Sequence, residues 1–93
     1  MITFSLEILT PDKPFYQKNV DMVVVQGLEG FLGILAHHTP FLTRLVPGPI
    51  RIKKDDIEQV FSAGAGLVEV TAKGVTVLVD SAESATGTAK IAS

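Results

Sequence analysis

Phe4, Leu6 and Ile8 alternate with Thr3, Ser5 and Glu7. A period of two sends successive side chains to opposite faces, so this stretch predicts a half-buried strand. Thr10-Pro11-Asp12-Lys13-Pro14 ends it, because each proline fixes φ and removes a ladder donor. Phe15-Tyr16 predicts a short strand, and Gln17-Lys18-Asn19 a turn or bulge. Val20 to Gln26 is nearly continuous in apolar residues, the pattern of a strand covered on both faces. Phe41 to Val46 fits a strand or a short helical turn; strand is favoured, since Thr39-Pro40 disfavours helix at its start and Pro47-Gly48-Pro49 closes it. Ile50 to Lys53 alternates, Lys54-Asp55-Asp56 predicts a polar hairpin turn, and Ile57 to Ala63 its return strand. Leu67 to Thr71 and Val75 to Asp80 alternate on either side of an Ala72-Lys73-Gly74 turn.

Between the third and fourth of these runs the pattern breaks. Gly27, Gly30 and Gly33 fall within seven residues, with Leu28, Glu29, Phe31 and Leu32 between them. Glycine there admits positive φ or close backbone approach, at an entropic cost. A loop that also exposes a side chain as large as Phe31 is built to touch something, although a plain hairpin bend gives the same spacing. From Ser81 the chain loses its aromatic and large aliphatic groups except Ile91, and Gly87 with two threonines weakens any helix. This predicts a frayed tail with at most one helical turn at its start. Eight or more short strands without a long helix predict an all-β protein, a β-sandwich or flattened barrel.

Composition narrows the choice of function. The 93 residues suit one domain, and 46% hydrophobic against 19% charged residues excludes a disordered chain. A net charge of −2 argues against nucleic acid and against anionic lipid. No cysteine is present, so no disulfide or thiolate metal site contributes. No run of about 18 apolar residues could span a bilayer. Met1-Ile2-Thr3-Phe4 has no basic start of a signal peptide, so the cytoplasm is the default.

Candidate chemistry is sparse. His37 and His38 are adjacent, and neighbours on an extended chain point to opposite sides, so they do not chelate one ion together. Asp55-Asp56 lies in a predicted turn that explains it. Gly64-Ala65-Gly66 lacks the helix and lysine of a phosphate cradle. No Ser or Thr sits in a nucleophile elbow. No catalytic residue, metal site or cofactor is assigned.

The motifs then carry a resemblance. Asp21 to Leu35, His38-Thr39-Pro40-Phe41-Leu42-Thr43, Leu45 to Ile52, Gly64-Ala65-Gly66-Leu67-Val68-Glu69-Val70 and Val75 to Glu83 resemble, in family order, the epsilon subunit of F-type ATP synthase. The family's patterns are an E-G-x-L-G-I loop, a G-H-x-P-L-L-T turn, a P-G-x-x-R-I strand, a G-G-x-x-E-V strand and a V-T-V-L-A-D strand. The resemblance implies a ten-stranded β-sandwich over residues 1–83, with 84–93 a short unstructured tail. It implies a non-catalytic rotor component of the central stalk, coupling the gamma subunit to the c-ring for ATP synthesis driven by a proton or sodium gradient. Carried over by position, Glu29, Gly30, Phe31 and His38 face the c-ring, and Thr10, Leu42 and Thr43 face gamma. Such a protein sits peripherally on the cytoplasmic face of the energy-transducing membrane, held by the complex.

This chain departs from the pattern at four places. Phe31 stands where relatives often carry a polar or charged residue, His37 replaces a glycine, Phe41 a leucine, and Ala65 the second glycine of G-G-x-x-E-V. Most relatives continue into a helical hairpin that inhibits ATP hydrolysis and in some bacteria binds ATP. Ser84 to Ser93 has no arginine and no I/L-D-x-x-R-A pattern, so neither property is carried over. The alternative reading is a free-standing β-sandwich ligand-binding module, which one Tyr and no Trp serve poorly as a sugar platform. A metal hydrolase using His37 or His38 ranks third.

Overall fold

The computed structural model describes residues 2–90, and every regular element in it is a strand. These are β1 (Phe4–Leu9), β2 (Pro14–Val20), β3 (Met22–Gly27), β4 (Gly30–Leu35), β5 (Phe41–Leu45), β6 (Gly48–Lys54), β7 (Ile57–Ala63), β8 (Gly66–Thr71), β9 (Gly74–Val79) and β10 (Ala82–Lys90). They form one sheet in the order β10-β7-β6-β3-β5-β8-β9-β1-β2, with β4 paired to β3 off this path. The sheet folds over at the β3–β5 junction, where Gly27 opposite Leu45 is the sole registered pair. That junction leaves β4 and the path from β3 to β10 in one layer, and β5 to β2 in the other. On the far side Phe61 of β7 receives Phe15 and Tyr16 of β2, with ring centroids 4.9 and 5.6 Å away. The result is a flattened, nearly closed barrel, the all-β class that the alternation implied.

Alternation also decides the core. Leu6 and Ile8 on β1, Val23 and Val25 on β3, Ile34 on β4, Val68 on β8 and Val77 on β9 are fully buried. Their sequence neighbours on each strand point outward. Each such Val, Leu or Ile contributes about 1.5–3 kcal/mol through burial. The β1–β9 pair is parallel and all other pairs are antiparallel.

Three details differ from the sequence pattern. Gln17-Lys18-Asn19 is strand, not turn: it completes β2, paired in register with β1. The Val20–Gln26 run is two strands, broken at Asp21, whose side chain is buried at 6% exposure. Its Oδ2 accepts the Asp55 N–H at 2.8 Å, and its own N–H donates to the Lys53 carbonyl at 2.9 Å. One carboxylate thus ties the β2–β3 corner to the β6–β7 turn, where Asp55 adopts φ +55°. Finally, the chain from Ala82 forms β10 on β7 instead of a helical turn. Pairing is regular from Ala82 to Ser84, shifts register, and resumes from Thr88 to Lys90. Residues 91–93 of the expected tail lie outside the described residues.

Candidate interaction surfaces

The β3–β4 hairpin turns on Leu28 and Glu29, closed by the Gly27–Gly30 pair. Gly30 takes φ +124°, a conformation that side chains rarely adopt. Beyond the turn, Leu32 and Ile34 point inward and Phe31, Gly33 and Leu35 outward. Phe31 is 67% exposed, Leu35 58%, and Leu28 at the turn 66%. Across β3 these meet Gln26, Val24 and Met22, all half-buried. Gly33 leaves a notch between Phe31 and Leu35, floored by Val24. An apolar strip of this kind on a water-facing sheet marks a contact surface.

The other layer carries a second apolar set. Leu42 on β5 is 64% exposed. Leu67 on β8 and Leu78 on β9 are registered opposite each other, and Leu78 opposite Leu9 on β1. Leu42 lies diagonal to Leu67, because its direct partner is Glu69 while Arg44 faces Leu67. Leu67 and Leu78 were not singled out from sequence. The signal was present: both stand in the outward phase of strands whose inward phase is Val68-Val70 and Val75-Val77-Val79.

The residues expected at one ring-facing edge do not share an edge. Glu29 and Gly30 lie at one end of β4 and His38 beyond the other, and six strand residues span about 17–20 Å. His38 is half-buried, its Nδ1 is 2.9 Å from the Thr39 carbonyl oxygen, and its ring packs 5.0 Å from Phe41. It flanks a cleft of about 470 Å³ with His37, Ser5, Asn19 and Lys73. His37 takes φ +65° in the β4–β5 turn.

The gamma-assigned residues are also divided. Leu42 points outward, while Thr43 is half-buried on the inward phase of β5, opposite fully buried Val68. Thr10 belongs to the Glu29 end. It follows Leu9, which pairs with Leu78, and the next positions across the sheet are Val79, Gly66, Leu45 and Gly27. There its hydroxyl donates to the Lys13 carbonyl at 2.9 Å, closing the β1–β2 turn.

No constellation for chemistry forms among the described residues. They contain no group of three or more His, Cys, Asp or Glu able to hold a metal ion. Tyr16, whose pKa is raised by burial, packs against Phe61, and the Lys18 ammonium lies 5.9 Å from its ring centroid. Arg51 and Glu58 form a surface ion pair at 3.7 Å, of little energetic weight. Among the described residues no helix is long and apolar enough to cross a membrane.

Comparison with known proteins gives this geometry a context. Residues 3–85 match the family model described as ATP synthase, Delta/Epsilon chain, beta-sandwich domain. The chain is 42% identical over 83 residues to the ATP synthase epsilon chain of Alkalihalophilus pseudofirmus, covering 89% of this chain and 62% of that one. It is 40% identical to the Bacillus subtilis epsilon chain, covering 94% and 66%, and 33% identical to the sodium ion specific epsilon chain of Propionigenium modestum, covering 88% and 60%. The chain therefore spans 60–66% of the length of these relatives. By fold it resembles a chain of the Euglena gracilis mitochondrial ATP synthase OSCP/F1/c-ring assembly, with a TM-score of 0.82 and 21% identity, covering 88% of this chain and 53% of that one. A chain of the Tetrahymena thermophila mitochondrial ATP synthase central stalk and c-ring gives 0.75 and 22%, covering 87% and 66%.

Proposed function

We propose a role for this chain that starts from its family: it belongs to the delta/epsilon-chain β-sandwich family of ATP synthases. The sandwich is a rotor component that couples the gamma subunit to the c-ring, without catalytic chemistry of its own. One observation carries this reading. Large apolar side chains stand in water on both layers, Phe31 and Leu35 on one and Leu42, Leu67 and Leu78 on the other, over a buried core. Two exposed apolar surfaces on one rigid body suit a part held between two neighbours.

In this arrangement the Glu29–Phe31 end meets the ring and the outer face around Leu42 meets gamma. His38 goes with the Leu42 side, since it flanks Phe41 at the start of β5. Thr10 supports the ring end through its turn, and Thr43 supports β5 from inside. The complex keeps the chain peripheral on the cytoplasmic face of the membrane, and the ring's own chemistry selects proton or sodium ion. Residues 1–83 carry the coupling surface; hairpin-type inhibition of ATP hydrolysis is no part of the role assigned to it.

The test is binding of the chain to purified gamma and, separately, to the c-ring. Phe31→Asp should weaken ring binding by about 2 kcal/mol, roughly thirtyfold, and leave gamma binding intact. Leu42→Asp should do the reverse. Absence of binding to either partner, or loss of both by either variant, overturns the assignment.

A further inference from the structure

The free edge of β4 is a second feature of this hairpin, independent of any stalk partner. β4 pairs with β3 alone among the described residues. Its sequence, Gly30-Phe31-Leu32-Gly33-Ile34-Leu35, has no charge and no proline. Edges that stay unpaired are ordinarily blunted by such residues, as β2 is by Pro14 and Lys18. A two-residue turn makes Gly27–Gly30 a hydrogen-bonded pair, so the ladder's alternation directs the main-chain groups of Phe31, Gly33 and Leu35 away from β3. The Leu35 carbonyl also accepts the His38 N–H at 3.3 Å; among the described residues Phe31 and Gly33 have no such contact.

We propose that β4 pairs edge to edge with β4 of a second copy of this chain, antiparallel and centred on Gly33. The edge is self-complementary in that register. Phe31 falls opposite the second copy's Leu35, the two glycines face each other, and the notch at Gly33 lets the flanking apolar side chains close over the seam. Charge agrees with the direction. Glu29 stands at one end of β4, and Lys53, in line with Leu35 across Met22, at the other with His37 and His38. Antiparallel pairing brings the acidic end of each copy to the basic end of the other. The seam is one short strand, smaller than the ~1,200 Å² of a stable interface, so the dimer is weak, with Kd on the order of 100 μM. It goes beyond the rotor role: it belongs to the free chain and covers Phe31 when no ring does.

Sedimentation of the chain alone from ~5 to ~500 μM tests this without gamma or c-ring. The weight-average mass should rise from 9.9 kDa toward twice that value and fit a monomer–dimer equilibrium without exceeding it. Gly33→Pro removes an edge donor that β3 does not use, and should weaken association at least ~10-fold at an unchanged melting temperature. Phe31→Lys, on the outer face, should do the same and carries the test should the proline variant unfold. A monomer at every concentration, growth beyond a dimer without a plateau, or association indifferent to the variants overturns the proposal.

Discussion

The β3–β4 and β8–β9 hairpins have the same outline, six-residue antiparallel strands bounded by glycines, and opposite roles. β8–β9 is held between β5 and β1, and its glycines are matters of space. A Cβ on Gly66 would land on the Leu78 carbonyl oxygen, and one on Gly74, at φ +147°, would stand 2.6 Å from the Ser5 carbonyl oxygen. β3–β4 has a free edge, and beyond Gly27, where a Cβ would stand 3.3 Å from the Gly30 carbonyl oxygen, its glycines are open. A Cβ on Gly30 meets nothing within 4 Å, and one on Gly33 only Val24 at 4.0 Å. The first hairpin locks the barrel; the second leaves apolar surface available. Glycine clustering in a sequence does not distinguish the two, because it shows a missing side chain without showing what fills the space.

Substitutions break this comparison in graded steps. Gly66→Ala should cost more than ~3 kcal/mol, lowering the melting temperature by over ~12 °C, because a backbone carbonyl cannot move aside. Asp21→Ala should cost about 1–3 kcal/mol in denaturant unfolding by orphaning the Asp55 N–H, and Asp21→Asn less, since its amide oxygen still accepts. Gly30→Ala should cost about 1–2 kcal/mol for its positive φ alone. Gly33→Ala should stay within ~0.5 kcal/mol in thermal unfolding, because it has neither positive φ nor a crowded neighbour. A collapse at Gly33 equal to that at Gly66 would show that the two hairpins do not differ as described.

Much of the fold was legible in the alternation. β1, β6, β8 and β9 lie where period-two patterns put them, because each has one face on the core and one in water, and β7 lies where the Lys54-Asp55-Asp56 turn puts its return strand. Asp21 was hidden inside an apolar run, since what makes it a corner is a donor 34 residues away. β10 was hidden by composition: its small and polar residues predict nothing, yet β7 offers it an edge. The apolar surfaces were partly legible. Phe31 announced itself beside glycines, whereas Leu67 and Leu78 required knowing which phase of each strand faces the core. That Glu29 and His38 stand at opposite ends of β4 was not legible from their nearness in sequence, because the strand between them carries the chain from one end of the sandwich to the other.

Hydroxyl-radical footprinting of this chain bound to gamma and the c-ring tests the two-sided coupling most directly. It should show Leu28 and Phe31 protected relative to the free monomeric chain at low concentration when the ring is present, and Leu42, Leu67 and Leu78 protected when gamma is present, with the core unchanged. Equal labelling of both surfaces in the free and assembled states would contradict it.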